Sequence, residues 1–171
     1  LDAEGVKDVA LTMLYTPQAR ADRRFTRGSA HPLKVFSGML NSMKFSEVLI
    51  ADPHSDVTTA LIDNVRVINQ TRCFKSLLPE INKVSKDFIL CAPDLGGVIV
   101  KCDIQCDDLQ GKDVVIVDDL SDAAGSFKFL AQKLLTKNCG KIILFTTHGI
   151  YAKGLDVLKG YVEYVFCYNL M

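Results

Sequence analysis

The apolar residues of the chain fall into short runs divided by polar stretches. The clearest, Val114-Val115-Ile116-Val117, runs directly into Asp118 and Asp119. Four β-branched residues in succession read as a strand buried on both faces. The same reasoning predicts strands over 6–14, 47–51, 62–69, 87–92, 113–117, 141–146 and 161–168. Leu33, Phe36, Met39, Leu40 and Met43 recur at helical spacing behind Pro32, which suits a first helical position. A second helix is expected over 74–84, with Pro79 starting or kinking it. A third is expected over 126–138, with Leu130, Leu134 and Leu135 on its inner face and Gly140 as its stop. Residues 15–31 carry Arg20, Arg23, Arg24 and Arg27 with only Tyr15 and Phe25 as large apolar groups, and read as a basic loop. No element is legible between 98 and 111.

Strands alternating with helices predict an α/β fold built on a parallel sheet. Ligands of such sheets bind beyond the carboxyl ends of the strands. Polar clusters follow four strands, at 19–24, 52–56, 94–97 and 118–126. They are expected to meet on one sheet edge, and that convergence points to an enzyme.

Composition narrows the class. The 171 residues, 49% of them hydrophobic, allow one domain with a substantial core. Lys and Arg number 20, as do Asp and Glu, so net charge favours neither nucleic acid nor membrane as a partner. No apolar run is long enough to span a bilayer, and no leader pattern opens the chain. Cys102 and Cys106 have no second Cys pair or His cluster to complete a zinc site, so the six cysteines are expected to be reduced thiols of a cytoplasmic protein. The first residue is Leu1, and the true start is expected to lie upstream.

The clusters suggest specific chemistry. Asp118, Asp119 and Asp122 precede Ala123, Ala124, Gly125 and Ser126 at the start of a helix. Backbone N–H groups of such a turn attract phosphate. The carboxylates can accept hydrogen bonds from sugar hydroxyls or hold a divalent cation. Arg20, Arg23 and Arg24, with Asp22 among them, suit polyphosphate oxygens. Asp52, His54 and Asp56 could approach Mg²⁺ or phosphate, and Asp94 with Gly96 and Gly97 offers a carboxylate beside backbone that an anion can approach closely. His148 follows a strand with no base partner nearby, and reads as structural.

In chain order, ARADRRF, DPHSD, APDLGGV, GKDVVIVDDLSDAAGS and THG resemble the ribose-phosphate pyrophosphokinases, or phosphoribosyl-diphosphate synthetases. These belong to the type I phosphoribosyltransferase superfamily, whose hallmark is a strand followed by DD-x-x-D-x-x-G-S/T. The resemblance runs over nearly the whole chain and implies a parallel-sheet fold with helices on both faces. It implies Mg²⁺-dependent transfer of the β,γ-diphosphoryl group of ATP to the anomeric hydroxyl of ribose 5-phosphate. On that likeness Arg20, Asp22, Arg23, His54, Gly96 and Gly97 would hold ATP, and His54, Asp94, Asp118 and Asp119 would attend the metal. Asp118 and Asp119 would hold the ribose hydroxyls, and Asp122, Ala123, Ala124, Gly125 and Ser126 would wrap the 5-phosphate. Arg20, His54, Asp118 and Asp119 would be the catalytic set. Homo-oligomers, as dimers or hexamers of dimers, are implied as well.

Three departures stand out. Much of the family's sequence before residue 1 is missing, and its mobile catalytic loop, which carries Lys and Arg, shrinks to the stretch near 98–107. Ala123 stands where the family has Thr, which removes a hydroxyl donor worth about 0.5–1.5 kcal/mol. That change leaves room for a substituted 5-phosphate such as that of ADP-ribose, which would place the protein in NAD salvage. The acidic loop would also suit a phosphoribosyltransferase, and the shortened lid would suit a non-catalytic synthetase-associated regulator.

Overall fold

The computed structural model describes residues 5–6, 8–92, 107–122 and 124–171. The chain divides into two compact units, 1–73 and 74–171. Its seven described strands form two parallel sheets where the alternation of elements predicted one, because hydrophobic pattern marks a strand without saying which sheet it joins.

In the first unit β1 (Ala10–Met13), β2 (Glu47–Ala51) and β3 (Val65–Ile68) pair in that order. Helix α1 (Pro32–Ser42) joins β1 to β2, and Pro32 opens it as expected. Leu40 of α1 packs with Val48, Ile50 and Ile62 to form the core. The predicted strand over 62–69 begins late. Residues 56–61 form a short helix, α2 (Asp56–Leu61), and Ile62 is its C-cap. Asn41 fixes this corner: its Nδ2 donates to the Leu61 carbonyl at 3.0 Å, and its Oδ1 accepts the Asp63 N–H at 3.1 Å.

Helix α3 (Gln70–Val84) starts four residues before the sequence reading places it and runs through Pro79. The signal for its start is Asn69, whose side-chain oxygen accepts the Arg72 N–H at 2.9 Å, as an N-cap does.

The second unit orders β4 (Phe88–Cys91), β5 (Asp113–Ser121), β6 (Ile142–Gly149) and β7 (Tyr164–Leu170) side by side. Helix α4 (Gly125–Leu135) follows β5. Val114, Ile116, Ile142 and Leu144 face the α4 residues Phe127, Leu130, Ala131 and Leu134. The alternate position, Phe145, meets Phe74 of α3 edge-on with ring centroids 5.1 Å apart. Helices therefore cover both faces of this sheet, as the alternation of strand side chains requires.

Several boundaries differ from expectation. Strand β5 continues through Asp118 and Asp119 to Ser121, and β6 includes Thr147, His148 and Gly149, because pairing with a neighbouring strand overrides the polar character of these residues. Strand β4, expected to be buried, exposes Ile89 and Leu90. Helix α4 ends at Leu135, and Asn138 rather than Gly140 takes the left-handed conformation. Gly140 is needed for another reason: a Cβ there would lie 2.5 Å from both Asp113 Oδ1 and the Gly111 carbonyl. Among the described residues no helix is long and apolar enough to cross a membrane.

Candidate functional site

In the first unit the loop after β1 folds by two tight turns. Ala19 N–H bonds to the Thr16 carbonyl and Ala21 N–H to that of Gln18. Ala19 is buried and anchors the loop, which leaves Arg20, Arg23, Arg24 and Arg27 exposed. Asp22 is the exception, only 6% exposed. Arg23 donates from Nε to Asp22 Oδ1 at 3.1 Å, while its own side chain stays 72% exposed. The basic loop is thus tied down by one buried acid.

The turn after β2 comes to the same place. Asp52 adopts φ 42°, and its N–H reaches the Ile68 carbonyl at 2.8 Å. This bend brings His54 and Ser55 to Asp22. Burial alone would raise the Asp22 pKa, but the Ser55 hydroxyl, the Arg23 hydrogen bond and the charges of Arg23 and His54 hold it below the usual carboxylate range. The Ser55 Oγ lies near Asp22 without a hydrogen bond of good geometry. Thr16 and Thr58 likewise bury hydroxyl oxygens that have no hydrogen-bond partner. Buried polar groups without partners are uncommon and mark places where a ligand or water completes the set. Sequence reading overlooks these hydroxyls, since no spacing pattern distinguishes them from other Ser and Thr residues.

In the second unit Asp118 and Asp119 are half-buried at the carboxyl end of β5. The Asp118 carboxylate accepts the Asp119 N–H at 2.9 Å. Asp122 is exposed just beyond the strand. Ala124 then takes a left-handed conformation, φ 56° and ψ 0°, as the N-cap of α4, and gives its helix no side-chain cap. A left-handed residue leading into a right-handed helix turns successive backbone N–H groups toward one point, a nest suited to an anion. No acid occupies the first turn of α4 to fill that role. Gly125 sits at the first helical position with nothing within 4 Å of where a Cβ would stand, and its φ is not left-handed. The fold does not require glycine there, whereas close approach of a ligand would. Ser126 is exposed beside it.

His148 is buried in β6 with its Nδ1 3.3 Å from Asn169 Nδ2, a position within the sheet. Asp94, Gly96, Gly97 and Ala123 lie outside the described residues. Sequence reasoning also passes over the loop after β6, whose N–H groups bond to the carbonyls of Ser121 and Asp122.

Among the described residues no three His, Cys, Asp or Glu side chains gather to hold a metal. Mg²⁺ does not demand such a cage. It commonly takes one or two protein carboxylates, with phosphate oxygens and water completing the octahedron. The adjacent carboxylates of Asp118 and Asp119 fit that habit.

The parallel strand order and the acidic end of β5 agree with the type I phosphoribosyltransferase-like fold that the sequence resembles. Comparison with known proteins finds this chain similar to ribose-phosphate pyrophosphokinases. It is 28% identical over 170 residues to the ribose-phosphate pyrophosphokinase of Nitrosomonas europaea, covering 83% of this chain and 53% of that one. It is 26% identical over 180 residues to that of Xanthomonas axonopodis pv. citri, covering 88% and 56% respectively. The chain thus spans a little over half the length of these curated relatives. The crystal structure of phosphoribosylpyrophosphate synthetase from Mycobacterium smegmatis shares the fold with a TM-score of 0.72 at 18% identity, over 92% of this chain and 59% of that one. No protein-family model matches the chain.

Proposed function

We propose that this chain is the greater part of a ribose-phosphate pyrophosphokinase that moves the β,γ-diphosphoryl group of ATP to ribose 5-phosphate. The anomeric oxygen forms a bond to the β-phosphorus, the bridge between the α- and β-phosphates breaks, and AMP leaves. The anomeric hydroxyl gives up its proton, and the products are AMP and phosphoribosyl diphosphate.

One observation carries the reading: the left-handed, uncapped entry into α4 at Ala124 and Gly125, placed directly after the acidic end of β5. Its N–H groups suit a 5-phosphate, which Asp122 and Ser126 flank. Asp118 and Asp119 suit the ribose hydroxyls as acceptors. In the first unit the exposed guanidinium groups of Arg20 and Arg23 suit the triphosphate, with Asp22 setting the direction of Arg23. His54 adds a donor beside them. Mg²⁺, when bound, neutralises charge on the phosphate oxygens. On the family likeness its protein ligands would be drawn from His54, Asp94, Asp118 and Asp119. The same likeness assigns Gly96 and Gly97 to the transferred diphosphate. Catalysis of this kind is positioning and charge compensation rather than covalent work by the protein. The likeness to the pyrophosphokinases extends the proposal to a cytoplasmic homo-oligomer.

The test is AMP formation by the full-length protein with ATP, Mg²⁺ and ribose 5-phosphate, followed by chromatography. Parallel reactions replace ribose 5-phosphate by ADP-ribose, or supply phosphoribosyl diphosphate with a nucleobase and no ATP. AMP and phosphoribosyl diphosphate from the ribose 5-phosphate reaction support the reading. AMP from ADP-ribose only, nucleotide formed without ATP, or no product in any reaction overturns it.

A further inference from the structure

The loop after β6 places a tyrosine where backbone geometry disfavours one. Tyr151 has φ 45°, in the left-handed region that bulky residues rarely enter. Such conformations persist only where the surroundings enforce them, and they gather at functional sites.

The surroundings here are specific. The Tyr151 ring lies against Gly149, where an added Cβ would come within 2.2 Å of Tyr151 Cε2 and 2.8 Å of Cys167 Sγ. The Tyr151 hydroxyl shares a hydrogen bond of 2.8 Å with the hydroxyl of Thr146, which is fully buried in β6. The ring is therefore held to β6 along its edge and at its tip. The backbone that it holds faces the acidic loop. Ile150 and Tyr151 donate their N–H groups to the Ser121 carbonyl at 2.9 and 3.2 Å, and Ala152 donates to the Asp122 carbonyl at 2.9 Å. The turn closes on itself where Gly154 N–H meets the Tyr151 carbonyl at 2.7 Å.

We infer that Tyr151 is a positioning residue for the sugar-phosphate loop. Anchored to Thr146, it holds three successive N–H groups on the carbonyls of Ser121 and Asp122 and so fixes the chain where it leaves β5 for α4. The ligand in this inference rests on the proposed function, whereas the clamp rests on the contacts themselves. A side chain needed only to fill space would work equally well as phenylalanine and would not require a left-handed backbone. The hydroxyl pair and the strained turn both serve the grip on Ser121 and Asp122.

The experiment uses Tyr151→Phe and Thr146→Val, each keeping the shape of its side chain and losing a hydroxyl, together with the double variant and Thr146→Ser. In the full-length protein without substrates, amide hydrogen exchange should accelerate at Ile150, Tyr151 and Ala152 in both single variants and stay unchanged at Ile143 and Leu144. In turnover assays the KM for ribose 5-phosphate should rise by about 2- to 10-fold, the range expected for one neutral hydrogen bond. The KM for ATP and kcat should stay within about twofold. The double variant should be no worse than Tyr151→Phe, because that change already removes the bond to Thr146. Thr146→Ser should behave as wild type. Unchanged exchange at the three amides overturns the clamp, as does an equal rise in both KM values. A wild-type protein without transfer activity but with the expected exchange changes overturns the proposed function and leaves the clamp standing.

Discussion

Asp118 Oδ1 accepts the backbone N–H of Asp119 at 2.9 Å, so two neighbouring acids play unequal parts. Consecutive strand residues project to opposite faces. The Asp118 side chain instead turns forward along β5 and braces the backbone of its neighbour. Asp118→Ala loses this acceptor and should cost about 0.5–1.5 kcal/mol in urea denaturation. Asp118→Asn keeps an acceptor oxygen and should stay within about 0.5 kcal/mol of wild type. Equal losses in the two variants would mean that the bond contributes nothing.

Two glycines offer opposite outcomes. At Gly140 an added methyl would press on the Gly111 carbonyl and the Asp113 carboxylate, each 2.5 Å away, and a backbone oxygen cannot easily yield. Gly140→Ala should destabilise the fold by about 1–3 kcal/mol. Gly125→Ala meets open space at the start of α4 and should hold or gain stability, by up to about 1 kcal/mol. The same Gly125→Ala protein should bind ribose 5-phosphate more weakly, since the methyl narrows the approach to the N–H nest. Thermal melts and calorimetric titration separate the two effects. A Gly125→Ala protein that melts normally and binds normally would remove the phosphate from this turn.

The buried Cys73 thiol predicts a pH dependence. Burial, with the nearby Asp52 charge, pushes its pKa up from 9.0 to about 11, and its Sγ points to the Ile68 carbonyl at 3.9 Å. Above pH 9 the unfolded thiol ionises first while the folded one keeps its proton. The stability tied to Cys73 is therefore complete below pH 9 and is lost as pH rises toward 11. Under reducing conditions the melting temperature should fall across that window, and Cys73→Ala should show a shallower fall from a lower starting point. Parallel slopes for the two proteins would rule out this linkage.

Arg20 is exposed and makes no hydrogen bond or ion pair among the described residues. Arg20→Ala should shift stability by less than about 0.5 kcal/mol. In the proposed reaction it should raise the KM for ATP while leaving that for ribose 5-phosphate unchanged. An equal effect on both substrates would assign Arg20 another role.

The strands are legible in the sequence because β-branched runs such as 114–117 have few other uses, and α1 because Pro32 and its apolar spacing agree. Division into two sheets is not legible, since pairing partners leave no mark in a single strand. Helix α2 escapes notice because its few residues, Asp56–Leu61, carry no clear amphipathic period. The acidic loop is recognisable from its spacing, but its geometry is not. Neither the left-handed turn at Ala124 nor that at Tyr151 follows from residue type, because both residues ordinarily avoid it. Asp22 reads as one more member of a charged loop, and only its burial against Arg23 and Ser55 separates it from the exposed arginines around it.

The acidic end of β5 carries the account, and Asp118→Asn combined with Asp119→Asn tests it most directly. The substitutions preserve shape and hydrogen-bonding capacity while removing two negative charges. Diphosphoryl transfer from ATP to ribose 5-phosphate should fall by at least about 100-fold, as expected when charge is removed from a preorganised site, with circular dichroism and melting behaviour close to wild type. A folded double variant that turns over at the wild-type rate would contradict the account.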